Sequence, residues 1–320
     1  MSTVKLLQPL LAVFLFFSPR AAPAQSKIDS RQLLTDVEAL SADSMQGRKS
    51  CTAGNQKAQQ YILAAFQKYN LRAFNGDFRQ TFSFSHHETS CDEAANLIGY
   101  IAGASSDCIV LSAHYDHLGV RNGKIYPGAD DNASGVAALL AFMNYFNLNK
   151  PKHTLVFAIF DAEESGLQGS KFFVVKLPVD KKSVALNANL DMVSRNDQNE
   201  LYVAGCNHYP FLKPYLEKIA QTSAVKLLFG HDAGNSADNW TNASDHAPFH
   251  AMRIPFVYFG VEDHRDYHRP SDVFANIDPE FFINAAATIL EAVIAFDGNL
   301  AEIAKVRAGK NDRADRPSEN

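Results

Sequence analysis

Five short stretches of this chain bring imidazoles and carboxylates together. They are His114-Tyr115-Asp116-His117, Gly128-Ala129-Asp130-Asp131-Asn132-Ala133-Ser134-Gly135, Asp161-Ala162-Glu163-Glu164-Ser165-Gly166, Asn189-Leu190-Asp191 and Asp266-Tyr267-His268. Crowded carboxylates repel one another, and taking them out of water is costly unless a cation sits among them. Imidazole nitrogens mixed with carboxylate oxygens are a donor set for zinc or a similar divalent ion. The chemistry such a site performs is metal-assisted attack of water on a polar bond. Singly, each stretch has a blander meaning. A lone His-x-Asp is an ordinary satisfied pair, Glu-Glu is a solvated charge pair, and an Asp after an apolar run caps a turn. The weight lies in the coincidence that they fall where strands end.

Those strands are read from hydrophobic periodicity. Thr154–Phe160 is a nearly continuous apolar run, and Cys108–Ala113, Val184–Leu190 and Ile254–Gly260 resemble it. They alternate with helical patterns over Ser134–Phe146, Phe211–Ala220 and Pro279–Phe296. Upstream, Arg31–Leu40 and Gln56–Tyr69 read as helices, and Phe78–Ser85 and Asn96–Ile101 as strands. In the second helix Ala58, Tyr61, Ile62, Ala65 and Phe66 form one core-facing stripe. Apolar strands alternating with helices predict a single α/β domain whose sheet is covered on both faces. In such sheets ligands bind at the C-terminal strand ends, which is where the imidazoles and carboxylates fall.

Composition narrows the class. The chain has 320 residues, 46% hydrophobic and 20% charged, with a net charge of −5. That balance is globular, and the lack of a long basic block argues against nucleic acid as a partner. Residues 1–24 read as a signal peptide. Lys5 precedes the apolar run Leu10–Phe17, and Ala22-Pro23-Ala24 fits signal-peptidase cleavage. The run is too short to span a bilayer, so the expected protein is exported, periplasmic or secreted, without stable membrane insertion. The catalytic domain is expected over residues 25–300, followed by a flexible charged tail over 301–320. Export makes disulfides possible among Cys51, Cys91, Cys108 and Cys206, which allow three full pairings. Cys108 lies in an apolar stretch and also reads as a buried thiol.

In this order the motifs resemble those of the co-catalytic zinc aminopeptidases of peptidase family M28. They are His-Tyr-Asp-His, Gly-Ala-Asp-Asp-Asn-Ala-Ser-Gly, Asp-Ala-Glu-Glu-Ser-Gly-Leu-Gln-Gly-Ser, Asn-Leu-Asp-Met, Ser-Asp-His-Ala-Pro-Phe and Tyr-His. Leu40, Ser41, Met45, Gly47 and Arg48 also look like the family's N-terminal segment. The resemblance implies a zinc-exopeptidase-like fold with a central mixed, mostly parallel twisted sheet. It implies two Zn²⁺ per subunit, with Asp131 bridging them, His114 and Asp191 on one, and Glu164 and His268 on the other. It casts Glu163 as general base, passing the water's proton to the departing amine. It casts Asp116 as the carboxylate that orients His114, and Tyr267 as a donor to the oxyanion. It also suggests a cis peptide between Asp131 and Asn132. Asp245 and His246 match a motif beside the active site and are read as pocket wall behind the ligands.

Other residues receive quieter readings. Asp130 is expected to be structural, Ser134 to support the start of its helix, and His231 and His264 to be loop histidines without a partner. The loop Gly230–Asn242, with Trp240, is expected to line the pocket for the first substrate residue. The expected substrates are peptides with a free N-terminus, and no obligate protein partner is inferred. Three rivals stand beside this reading: a one-zinc glutaminyl cyclase, a carboxypeptidase or dipeptidase on the same fold, and a non-catalytic binding protein.

Overall fold

Strand interiors that are apolar at every position are stable only when both faces of the sheet are covered. The computed structural model, which describes residues 27–87, 89–234 and 238–314, meets that requirement. The sheet has eight strands. In chain order they and the accompanying hairpin are β1 (Arg79–His86), β2 (Thr89–Ile101), β3 (Ser105–His114), β4 (Gly119–Arg121), β5 (Lys124–Tyr126), β6 (His153–Phe160), β7 (Val184–Leu190), β8 (Glu200–Ala204), β9 (Lys226–Phe229) and β10 (Phe256–Gly260). The order across the sheet is β1-β2-β6-β3-β7-β10-β8-β9, with β4 and β5 a separate hairpin. The centre, β6-β3-β7-β10, is parallel throughout, while β1-β2, β2-β6 and β10-β8 pair antiparallel. The sheet is therefore mixed, with a parallel heart, as expected.

Alternation along the strands feeds two cores. Leu155, Phe157 and Ile159 of β6 join the large core, while Val156, Ala158 and Phe160 point into the opposite one. Ile109, Leu111 and Ala113 of β3 divide from Cys108 and Val110 in the same way. Helices α1 (Ser30–Leu40), α2 (Ala53–Lys68), α3 (Gly135–Leu148), α5 (Lys213–Ala220) and α7 (Pro279–Ala314) supply the large core. The short helices α4 (Gln168–Val175) and α6 (His246–Ala251) cover the other face. Asp29 caps α1 and Thr52 caps α2, each accepting from the backbone N–H three residues on. The stripe of α2 packs as expected, with Ala58, Ile62 and Phe66 fully buried.

The structure differs from the sequence reading in several places. Strands β4, β5, β8 and β9 and helices α4 and α6 are short, with too few residues for their periodicity to stand out. The charged tail expected from Ala301 is helical through Ala314. Phe296, Leu300 and Ile303, spaced i, i+4 and i+7, continue the buried stripe of α7 past the predicted end. Arg307 then donates to the carbonyl of Val184. This helix is long and apolar enough to cross a membrane by composition, and 61% of its most apolar window is buried against the protein. The predicted leader, residues 1–24, and the last six residues lie outside the described residues. Of the possible cysteine pairings the structure forms Cys51–Cys91, tying the segment before α2 to β2. Cys108 and Cys206 are free and buried, and burial pushes each thiol up to about 12.

Two polar groups brace the strand ends. The guanidinium of Arg48 is buried. It donates to the carbonyls of Tyr115 (2.8 Å), Leu40 (2.7 Å), Pro127 (2.6 Å) and Gly128 (2.9 Å). It thereby joins the loop after β3 to the turn before α3. The carboxylate of Asp161, at the end of β6, accepts from Ser50 Oγ (2.7 Å), Asn55 Nδ2 (3.0 Å) and the N–H groups of Ala95 (3.2 Å) and Ala162 (2.9 Å). Replacing Arg48 with Met leaves its carbonyl partners without donors. The variant should lose about 3–5 kcal/mol of stability in urea denaturation. A loss under about 1 kcal/mol would show that water replaces the guanidinium there.

Candidate metal centre

The parallel strands β3, β6, β7 and β10 all end at one edge of the sheet, and the turn into α3 faces them. His114 is the last residue of β3. Glu163 and Glu164 follow β6, Asp191 follows β7, and His268 lies on the loop after β10. Asp131 sits in the turn before α3, and its peptide bond to Asn132 is cis, as the resemblance implied. The Asn132 side chain fastens this turn. Its Nδ2 donates to Leu190 O (2.9 Å), and its Oδ1 accepts from the N–H groups of Gly135 (2.9 Å) and Met192 (3.3 Å).

Asp131 lies at the centre. Its Oδ1 is 3.4 Å from His114 Nε2, which is 3.2 Å from Asp191 Oδ1. Its Oδ2 is 3.1 Å from His268 Nε2 and 3.6 Å from His117 Nδ1. His268 Nε2 is also 3.6 Å from Glu164 Oε2. Donors at zinc distances of about 2.0–2.2 Å in a tetrahedron stand about 3.2–3.6 Å apart. The separations around Asp131 are of that size, so the donor set fits zinc. Two donor groups lie within 4.8 Å in this way: His114, Asp131 and Asp191, and His117, Asp131 and Glu164. His117 was not among the expected ligands. Among the described residues, both its ring nitrogens and Glu164 Oε1 are buried without a hydrogen-bond partner.

Charge is uneven in the centre. Burial pushes Glu163 up, and Asp191, Asp245 and Glu164 push the same way, so its carboxyl stands well above the usual range. Burial raises Asp131 too, but His117, His114 and His268 outweigh it and hold it well below. The residues behind the donors fix them in place. The carbonyl of Asp116 is 3.1 Å from His114 Nδ1, closer than its own carboxylate at 3.7 Å. That carboxylate accepts instead from the N–H groups of Glu163 (3.0 Å) and Glu164 (3.3 Å). The orienting contact to His114 thus comes from backbone, and the Asp116 side chain aims the Glu-Glu pair. Ser244 Oγ donates to Asp191 Oδ2 at 2.7 Å. Asp272 accepts from the N–H groups of Asp130 (2.9 Å) and Asp131 (3.1 Å). Ser244 opens the Ser-Asp-His-Ala-Pro-Phe motif but carried no role there, and Asp272, four residues beyond His268, did not stand out in sequence.

Asp130 accepts from Ser194 N (2.7 Å) and Oγ (2.8 Å), a structural placement as expected. Its other oxygen is 3.1 Å from His264 Nε2, so His264 does have a partner. Ser134 Oγ donates to Asp130 O (2.7 Å) and accepts from Val193 N (3.0 Å), which secures the turn into α3. Asp245 is fully buried and lies outside the cavity wall, and burial pushes its carboxyl up to about 7. His246 Nε2 donates to Trp240 O at 2.8 Å, and burial lowers its ring to about 3.

A cavity of about 110 Å³ opens onto the donors. Its walls include Glu163, Met192, Trp240, Tyr258, Asp263 and Tyr267. Trp240 stacks on His231 at 3.7 Å, and His231 Nδ1 is 2.9 Å from Asp238, so this histidine too is engaged. Tyr267 stacks on His268 at 3.9 Å while its ring borders the cavity.

The fold is that of the zinc exopeptidases: a Zn-dependent exopeptidase from Parabacteroides distasonis superposes with a TM-score of 0.70 at 19% identity, covering 83% of this chain and 98% of that one. The chain belongs to peptidase family M28, whose profile matches residues 96–293. Aminopeptidase YwaD of Bacillus subtilis (strain 168) is 31% identical over 196 residues, which is 58% of this chain and 40% of that protein. The chain spans about half the length of the curated relatives it matches. A leucine aminopeptidase precursor from Bacteroides thetaiotaomicron superposes with a TM-score of 0.70 at 19% identity, covering 83% of this chain and 97% of that one. The glutaminyl cyclase of Porphyromonas gingivalis superposes with 0.71 at 18% identity, covering 84% and 98%. These two likenesses concern the fold.

Asp272 touches none of the donors, yet it holds the backbone that carries Asp131. Asp272→Asn turns an amide N–H toward donors it should accept from. Zinc affinity, measured by competition with a chelator, should fall about 10–100-fold. Unchanged affinity would show that Asn132 alone secures the turn.

Proposed function

We propose that this protein is an exported two-zinc aminopeptidase that hydrolyses the N-terminal peptide bond of peptides. The observation that carries the reading is the split of Asp131. One of its oxygens faces His114 and the other faces His268, which in turn lies 3.6 Å from Glu164, as a carboxylate shared by two cations does. A one-metal site needs no such division. Family membership supports the coarser statement, a zinc-dependent hydrolase. His114, Asp131, Asp191, Glu164 and His268 would hold two zinc ions, which when bound would supply an acidified water and a polarised scissile carbonyl.

In this reading Glu163 borders the cavity without being required as a donor, and its carboxylate takes the proton of the attacking water. Its raised proton affinity suits it to hand that proton to the departing amine. Tyr267, which lines the same cavity, donates its hydroxyl to the developing oxyanion. Glu163, Asp191 and Asp263 border the same cavity and offer carboxylates to a substrate ammonium. Trp240, Tyr258 and Met192 offer an apolar wall to the first side chain. Export is supported by the leader pattern of residues 1–24 and by the Cys51–Cys91 disulfide.

The test is cleavage of a panel of aminoacyl p-nitroanilides by the purified mature chain, with metal content measured alongside. Activity should vanish on chelation and return with Zn²⁺, and Glu163→Gln should lower kcat about 10²–10⁴-fold at unchanged zinc content. One bound zinc with cyclisation of N-terminal glutamine would replace the reading with the cyclase. Two zinc ions with no release from any free-amino substrate would replace it with the carboxypeptidase or dipeptidase. Export makes a separate prediction. Mass spectrometry of the secreted or periplasmic protein should give an N-terminus at Gln25, and retention of Met1 would overturn it.

A further inference from the structure

The charged residues on the loop after β10 are engaged one by one, with a single exception. Glu262 Oε1 is 3.7 Å from His231 Nε2, His264 Nε2 is 3.1 Å from Asp130 Oδ2, and Arg265 Nε is 3.6 Å from Asp266 Oδ2. Asp263 stands in their midst and borders the cavity. Among the described residues its carboxylate forms no hydrogen bond and no ion pair. It is also exposed, which puts it at the mouth. Asp238 and Glu262, both exposed beside His231, give that side of the mouth the same sign. The rest of the wall is apolar. Met192, Tyr258 and Val261 are buried, and Trp240 is half-buried. The Tyr258 hydroxyl donates to Asp191 O at 3.3 Å, so its ring is what it offers to the cavity. His231 stacks on Trp240 and Tyr258 meets it edge-on at 5.7 Å, which holds the indole in place. An apolar wall that ends in an unpaired carboxylate suits a side chain with a long hydrocarbon stem and a cationic head.

We propose that Asp263 selects lysine or arginine as the first residue of the substrate by receiving the side-chain cation. The proposal rests on the aminopeptidase reading and deepens it, because it names the class of substrate. The α-ammonium is joined to the scissile carbonyl through one carbon. With that carbonyl at the metal donors, the α-ammonium must lie beside them, where Glu163 and Asp191 offer carboxylates. Asp263 pairs with none of the donor imidazoles, so it is left for a group farther along the first residue. The stem of a lysine or arginine lies along Met192, Tyr258, Val261 and Trp240, and its head reaches Asp263. A leucine covers the same wall but offers the carboxylate nothing, and a glutamate brings it a like charge. Shielding an unpaired carboxylate from water is costly, whereas a cation that donates to it offsets that cost.

The experiment compares kcat/KM of the purified mature chain for the p-nitroanilides of lysine, arginine, norleucine and glutamate at neutral pH. Norleucine keeps the hydrocarbon stem and lacks the charge. The wild type should prefer lysine to norleucine about 10-fold or more, with arginine close to lysine and glutamate the poorest. Asp263→Asn keeps the size of the side chain and removes its charge, and in that variant the preference for lysine over norleucine should be lost. The ratio is taken within one preparation, so any loss of folded or zinc-loaded enzyme cancels. A wild type that takes norleucine as well as lysine would overturn the proposal. An unchanged ratio in Asp263→Asn would overturn it too. If both substrates then lose activity equally, Asp263 holds the α-ammonium that all of them share. Release from none of these substrates would sink the aminopeptidase reading itself, a result distinct from release without preference for a cation.

Discussion

Everything in this structure depends on holding several carboxylates within a few ångströms of one another at the edge of a buried sheet. Asp131, Glu163, Glu164 and Asp191 repel each other, and Asp116 and Asp245 add charge close by. The protein answers with directed donors. Backbone N–H groups of Glu163 and Glu164 are tied down by Asp116, those of Asp130 and Asp131 by Asp272, and Asp191 by the Ser244 hydroxyl. Beneath them Arg48 gathers the carbonyls of both loops and places a cation under the site. Each restraint acts on a backbone or on an oxygen turned away from the cavity. The oxygens facing the cavity are left for cations, which alone can offset so much charge.

The parallel centre of the sheet makes that convergence possible. Parallel strands end side by side, so residues just past β3, β6, β7 and β10 arrive at one place although they are up to 154 positions apart in the chain, from His114 to His268. The antiparallel margins and the helices on both faces play a different part. They close the two cores, so that a strand end with polar cargo can be held still. The donors themselves line the cavity, joined by Met192 beside Asp191, by Tyr258 and Val261 at the end of β10, and by Trp240, whose carbonyl His246 grips from behind.

Much of this was legible in the residues. The runs Cys108–Ala113, Thr154–Phe160, Val184–Leu190 and Ile254–Gly260 are strands because nothing but a doubly covered sheet accommodates them, and polar residues at their ends stood out against that background. The unread parts share a physical cause. The hairpin β4–β5, strands β8 and β9 and helices α4 and α6 are too short for a period to accumulate. The stripe of α7 runs on through Leu300 and Ile303 among charged residues that mask it. Asp272 and Arg48 act through backbone groups distant in sequence and Ser244 through the Asp191 carboxylate; the motifs that contain Arg48 and Ser244 do not mark those partners.

The sequence by itself determined the chemical types present, their order, and the strands and helices that carry them. Composition and periodicity are local properties, and the motifs are contiguous. Tertiary structure alone decided which residues meet. It paired Cys51 with Cys91, gave His264 to Asp130, turned the Asp116 carbonyl rather than its carboxylate toward His114, and set His117 against Glu164. Those outcomes depend on the direction of a side chain or of a backbone group after packing. Direction is fixed by contacts made across the whole sheet, which no stretch of a few residues contains.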